Sequence, residues 1–264
     1  MKKKLIAVPY YIWALIFIVV PLLMIAYCAF TDAGGSFTTA NILQIGKYGT
    51  VLIRSVVYAL IATACCLVLG YYLAYIMAQQ SERTKTLLMI LLMLPMWINF
   101  VLRTQAMQDI LDLIQSWLKN AGLSLQVSNT GFAVVLGLIY NYLPFMVLPI
   151  YTSLEKLDPK VIEAAEDLGA NRLRVFQKVI LPLTMPGVGS GIIMVFVPTI
   201  STFVISEKLG GAKYNLIGNV IQEQFLTVYN PNVGAAINLV MLVLILFTLV
   251  IFSFLDDETK EGIL

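Results

Sequence analysis

The most pointed chemistry in the sequence lies in a run of charged and small residues between two long apolar segments. Glu163-Ala164-Ala165 is followed after three residues by Gly169, and after nine more by Val179-Ile180-Leu181-Pro182. Asp158-Pro159 reads as a helix start, a capping carboxylate ahead of a proline at the first helical position. Val161, Ile162, Ala165 and Leu168 recur at helical spacing, and Gly169 stands where a C-terminal capping glycine belongs. A second helix follows, with Leu173, Phe176 and Ile180 on one face and Pro182 limiting it. Ala164 and Ala165 are small enough for another protein to approach the backbone, while Glu163, Glu166 and Asp167 give the exposed side negative charge. The chemistry on offer is docking of a partner; a solvated loop without one fits the composition equally.

Other chemistries are excluded by what the chain lacks. It has no histidine, which removes imidazole bases, Ser-His-Asp and Cys-His nucleophiles and His-ligated metals. The Gly187–Gly191 stretch, G-V-G-S-G, misses the G-x-S-x-G nucleophile pattern by one place. Cys28, Cys65 and Cys66 lie in apolar runs and read as small reduced hydrophobes, with no metal site or disulfide framework. No G-x-x-x-x-G-K-[ST] is present, so the chain does not bind ATP by a P-loop. A net charge of +2 is too small to point to nucleic acid.

The elements that must carry the loop are membrane spans. The 264 residues are 59% hydrophobic and 12% charged, with a mean hydropathy of +0.87, against about 45–50% and about 25% in soluble domains. Runs free of Asp, Glu, Lys and Arg at 8–30, 55–78, 86–102, 130–154, 183–206 and 233–255 predict six transmembrane helices, the short third one extended to about 86–104. Of the 17 basic residues, eleven (among them Lys2, Lys3, Lys4, Arg83, Lys85 and Arg172) fall on the side of both termini, the 79–85 turn and the 155–182 loop. The positive-inside bias therefore makes that side cytoplasmic. Arg103 is counted at the outer rim with Lys47, Arg54, Lys119, Lys208 and Lys213, so no ionisable residue stands well inside a span. A proton- or sodium-driven carrier would need one. Pro95, Pro144, Pro149 and Pro198 mark kinks or breaks, and Gly187 with Gly191 reads as close helix packing. Residues 104–119 form an amphipathic outer helix, lying in the headgroup layer or offering a surface to an external partner.

The spelling of the cytoplasmic loop resembles the EAA loop of ABC-importer permeases, E-A-A, x3, G, x9, I, x, L-P, with Val179 in place of the isoleucine. The resemblance implies a coupling helix that inserts into a cleft on an ATP-binding cassette subunit. Glu163, Ala164, Ala165 and Gly169 would form the docking core, with Leu168 and Arg172 as neighbours. Further stretches, including Leu143–Pro149, Ser153–Asp158, Leu181–Gly187, Gly210–Lys213 and Leu216–Ile221, extend the likeness along the chain. Together they resemble the PotB-type permeases of bacterial spermidine/putrescine importers. That resemblance implies an all-α, six-helix, type I (MetI-like) permease of the bacterial inner membrane, a transport subunit with no catalysis or cofactor of its own. ATP and Mg would sit on two copies of a partner ATPase. A second homologous permease and an extracytoplasmic binding protein would complete the importer, and a polyamine would be the solute.

A flexible polycation needs aromatic faces, carbonyl or hydroxyl oxygens and a few carboxylates. Candidates are Trp97 and Asn99, Tyr140 and Tyr142 ahead of Pro144, and Phe203 after Pro198, where a broken helix would free carbonyls toward a cavity. Trp97 and Glu207 correspond to an aromatic and an acidic position of the polyamine permeases; an interfacial tryptophan and a solvated rim charge fit them equally. The external segments hold five carboxylates (Asp32, Asp109, Asp112, Glu207 and Glu223) against six basic groups, so they do not concentrate polycations. The remaining readings are a permease for another small solute (an iron complex, thiamine or an oxyanion) and a channel or membrane enzyme, neither of which needs the loop.

Overall fold

The computed structural model describes residues 8–32 and 34–261, with side chains through residue 250. Lys2, Lys3 and Lys4, which weigh in the charge count, lie outside the described residues. Apart from a short 3-10 turn at Ala212–Tyr214, ten helical stretches carry the described residues: α1 Val8–Ala29, α2 Ala40–Ala78, α3 Glu82–Trp97, α4 Phe100–Asn120, α5 Gly131–Glu155, α6 Pro159–Asp167, α7 Arg172–Ser201, α8 Val204–Gly210, α9 Ile217–Leu226 and α10 Pro231–Glu261. Five helical stretches are long and apolar enough to cross a membrane, and α3 with α4 would make a sixth. Within lipid every backbone group must be satisfied inside its own segment, which is why apolar runs of this length form helices.

Three of the expected spans differ in instructive ways. The third, 86–104, is bent by 94° between α3 and α4. Pro95 starts the tight Leu94–Trp97 turn, and Asn99 leaves the helix at ψ 130° to cap α4. The fifth does not begin after Pro182: α7 runs unbroken from Arg172 to Ser201. A π-turn at Phe176–Ile180 precedes Pro182 and makes room for a residue that has no N–H and a bulky ring. The same device, a π-turn at Leu15–Val19, precedes Pro21 in α1. Pro144 and Pro149, by contrast, sit inside α5 without breaking it.

Lipid tails are as apolar as leucine, so burial alone cannot hold such helices together; close approach of backbones does. Glycines supply it where α2, α5 and α7 cross. A Cβ on Gly70 would lie 2.8 Å from Met146 Cγ, and one on Gly191 would lie 2.7 Å from Met146 Sδ. Met146 is thus wedged between two bare backbone positions. A Cβ on Gly187 would lie 2.6 Å from the Pro149 carbonyl oxygen, whereas one on Gly189 meets nothing within 4 Å. Gly187→Leu is therefore expected to destabilise the purified protein by about 3 kcal/mol or more, while Gly189→Leu leaves its thermal midpoint near wild type. Equal midpoints for the two variants would refute the packing assignment.

The bundle has two recognisable ends. At one, Lys85 Nζ lies 2.9 Å from Glu82 and 3.9 Å from Glu155, joining the 79–85 turn to the start of the 155–182 loop. At the other, Arg54 donates to the Lys213 carbonyl at 2.8 Å and Gln224 to the Tyr48 hydroxyl at 3.2 Å. Among the described residues, the side-chain hydrogen bonds that fasten the first helix lie at its C-terminal end. There Asn41 donates to Thr31 O at 2.8 Å, and Asn232 donates to the carbonyls of Cys28 and Thr31.

Candidate functional site

The loop helix α6 is built by local rules. The Asp158 carboxylate accepts from the Lys160 N–H at 3.0 Å, with Pro159 opening the helix. At its other end Gly169 N–H donates to Glu166 O at 2.8 Å and Ala170 N–H to Ala165 O at 3.1 Å. This is a Schellman cap, and it requires the left-handed φ of +81° that Gly169 adopts. Asn171, unremarked in the sequence reading, then caps α7 by accepting from Arg174 N–H at 2.9 Å; an asparagine just ahead of a helical run was the available signal.

The apolar stripe of the loop splits between two faces. Ile162, Ala165 and Ala170 pack against the bundle core beside Val175 and Ile180. Val161, Ala164 and Leu168 face out, with Leu168 89% exposed, and Leu173 is exposed just beyond. Of the expected docking residues, Glu163, Ala164, Leu168, Gly169 and Arg172 are therefore on the accessible side, and Ala165 ties the helix down. A cleft of about 510 Å³ separates α6 from the bundle, lined by Tyr75, Gln79, Lys85, Glu155, Glu166 and Arg172 among others. Phe176 of α7 sits edge-on to both Tyr71 and Tyr75 of α2, with ring centroids 5.6 Å apart in each case. Tyr71 in turn shares a 2.8 Å hydrogen bond with Thr184 of α7. Displacement of the loop would reach α2 through these rings.

A second group gathers where two helices break. Trp97, 77% exposed, projects from the bend between α3 and α4. Asn99 is not a free oxygen, since its Oδ1 accepts from Val101 N–H at 2.9 Å as the cap of α4. Tyr140 lies over the guanidinium of Arg103, 5.7 Å from ring centroid to Cζ. Tyr142 stands beside Thr202, and Phe203, partly exposed, opens α8, with Glu207 exposed in the first turn. The carbonyls at the broken end of α7 do not open into a cavity as expected. Gly218 of α9 packs on Ser201 O and Thr202 O, and Phe203 O accepts from Asn219 Nδ2 at 2.9 Å. A freed backbone acceptor next to lipid needs a partner, and α9 supplies it.

Arg103, counted at the outer rim of the third span, is buried within the protein. It is 9% exposed, donating from Nε to Asn141 Oδ1 at 2.9 Å and from Nη1 to Pro95 O at 2.8 Å. Counting charges along the chain placed it at the rim because the count treats the span as straight; the bend folds it inward.

Residues 67–261 match the family of binding-protein-dependent transport system inner membrane components. The chain is similar to the spermidine/putrescine transport system permease protein PotB of Escherichia coli K12, with 37% identity over 254 residues, covering 91% of this chain and 92% of that protein. Its fold matches a bacterial ABC transporter involved in the import of the acidic polysaccharide alginate, with a TM-score of 0.70 at 15% identity over 98% of this chain and 95% of the other. It also matches the MetNI methionine ABC transporter, with a TM-score of 0.58 at 17% identity over 81% of this chain and 95% of the other.

Proposed function

We propose a function from one premise: this chain belongs to the family of binding-protein-dependent transport system inner membrane components. It is accordingly a membrane-embedded permease subunit of an ABC importer and no enzyme itself, working with an ATPase and a substrate-binding protein. The finer reading is that residues 1–264 form one permease domain, with both termini and the 155–182 loop in the cytoplasm. Two ATPase copies carrying ATP and Mg and a second homologous permease complete the importer, and spermidine or putrescine is the solute. Likeness to PotB over nine-tenths of the chain supports the solute. The observation that carries the coupling role is α6 itself, a capped helix that shows Val161, Ala164 and Leu168 to the outside while Ile162 and Ala165 hold it to the bundle.

In this reading ATP closes the ATPase dimer and drags α6 with it, and Phe176 of α7 passes the motion to α2. Only a difference in ATP affinity between the two permease states can drive the switch. Trp97, Tyr142, Phe203 and Glu207 line this chain's half of the path; Tyr140 and Asn99 support it from behind. The buried Arg103 beside that path, with the slight excess of basic over acidic groups on the external segments, favours an anionic or neutral solute.

The test is ATP hydrolysis by the assembled complex in lipid vesicles, with the cognate binding protein and with or without spermidine or putrescine. Stimulation is expected only when binding protein and polyamine are both present. Stimulation by another solute delivered by that binding protein would keep the importer and overturn the polyamine assignment.

A further inference from the structure

Arg103 is a charge where charge is costly. It lies in the first turn of α4, at the end of an apolar run and buried in the protein, and a guanidinium cannot shed its proton to escape burial. Among the described residues no carboxylate forms an ion pair with it; both ion pairs found there belong to Lys85. Its bonds run instead to a neutral carboxamide and a main-chain carbonyl.

Those two acceptors explain its place. At the bend Asn99 has left the helix, so the Pro95 carbonyl keeps only a 3.3 Å contact from Ile98 N–H. Arg103 Nη1 supplies the stronger bond at 2.8 Å. Asn141 is itself fixed, because its Nδ2 donates to Gly137 O at 2.8 Å within α5, leaving Oδ1 aimed at Arg103. The same guanidinium lies 5.9 Å from the Phe100 ring centroid and 5.7 Å from that of Tyr140. One side chain thus ties the Leu94–Trp97 turn, α4 and α5 together. Trp97 belongs to that turn, two residues beyond the carbonyl that Arg103 holds. The face of Tyr140 turned to Arg103 is already occupied by a cation and is closed to an ammonium group.

We propose that Arg103 is the positioning residue of the permeation path, holding the bend between α3 and α4 against α5 and so setting where Trp97 stands. The proposal rests on the permease reading above. Lysine is no substitute, because a single ammonium lacks the planar fork that reaches two acceptors while lying against an aromatic face.

Two readouts test it in the assembled complex, normalised to the amount assembled. The first is uptake of spermidine, with kcat and the KM for solute-loaded binding protein measured separately. Docking takes place on the outer surface and Arg103 is buried, so Arg103→Gln should lower kcat about tenfold or more with KM little changed, and Arg103→Lys should recover only part of the loss. The second needs no solute: the rate at which a membrane-impermeant maleimide labels Ile98→Cys, with Cys28, Cys65 and Cys66 replaced by alanine. Loss of the Arg103 bonds should change that rate severalfold. If Arg103→Gln does not assemble, Arg103→Lys decides. Wild-type kcat or an unaltered labelling rate in the assembled variant overturns the proposal. If the wild-type complex carries no polyamine, the solute assignment fails while labelling still judges Arg103.

Discussion

Arginine in place of Ala164 is expected to cut uptake about thirtyfold or more while the permease still inserts and folds. Ala164 lies on the outward face of α6 and is exposed, between Val161 and Leu168. Within this chain the new side chain meets open space, and arginine is nearly as good a helix former as alanine. Any loss must therefore arise at a partner. At the centre of a docking surface a long charged group has to be desolvated or pushed aside, and changes of that kind cost about 2–4 kcal/mol. The measurement is the amount of ATPase that copurifies with the permease, alongside uptake. Both should fall together, and retention of uptake would remove the coupling role from α6. Gly169→Val acts on the same helix by another route. A β-branched residue at φ +81° is strained, and the Schellman bonds to Glu166 and Ala165 would open. Its effect should be smaller than that of Ala164→Arg, since the outward residues stay chemically intact.

What could be read from the sequence divides along the range of the forces involved. The coupling loop was legible almost to the residue because its devices act within a few positions: the Asp158 cap, the proline after it and the Gly169 cap. Long uncharged runs announced the spans because the membrane imposes one simple demand on every residue in them. The rest depends on contacts between segments far apart in the chain. Asn99 was read as a free polar group, yet its oxygen is spent on its own helix. Pro182 was read as a stop, but a π-turn absorbs it. Ala165 was grouped with Ala164, but the bundle at its back separates their roles. Arg103 was assigned to the rim because only the 94° bend and the facing Asn141 make its position interior. None of these outcomes leaves a periodic signal.

The second large effect is expected at Gly218, where leucine should disable transport and loosen the end of the bundle at which α7 breaks. The position is defined by the main chain it faces. A Cβ there would lie 2.5 Å from Ser201 O and 2.7 Å from Thr202 O, at the broken end of α7. Those carbonyls cannot rotate away as a flexible side chain could, so α9 itself must withdraw. Withdrawal would take Asn219 with it. That buried carboxamide accepts from Leu216 N–H at 2.9 Å and from the Ser206 hydroxyl, and donates to Phe203 O at 2.9 Å. The 2.8 Å bond from Ile217 N–H to Ser55 in α2 would also be strained. Overpacking of this kind costs about 1–3 kcal/mol, and a stranded buried polar group costs a similar amount. Together they amount to about 2–6 kcal/mol beside Phe203. Uptake by Gly218→Leu should fall more than about tenfold, with a lower thermal midpoint for the purified complex. The matched control is Gly49→Leu, because a Cβ on Gly49 meets nothing within 4 Å. If Gly218→Leu transported as well as that control, α9 could not be the element that closes the broken end of α7. The break itself would then have to be held by groups outside this chain.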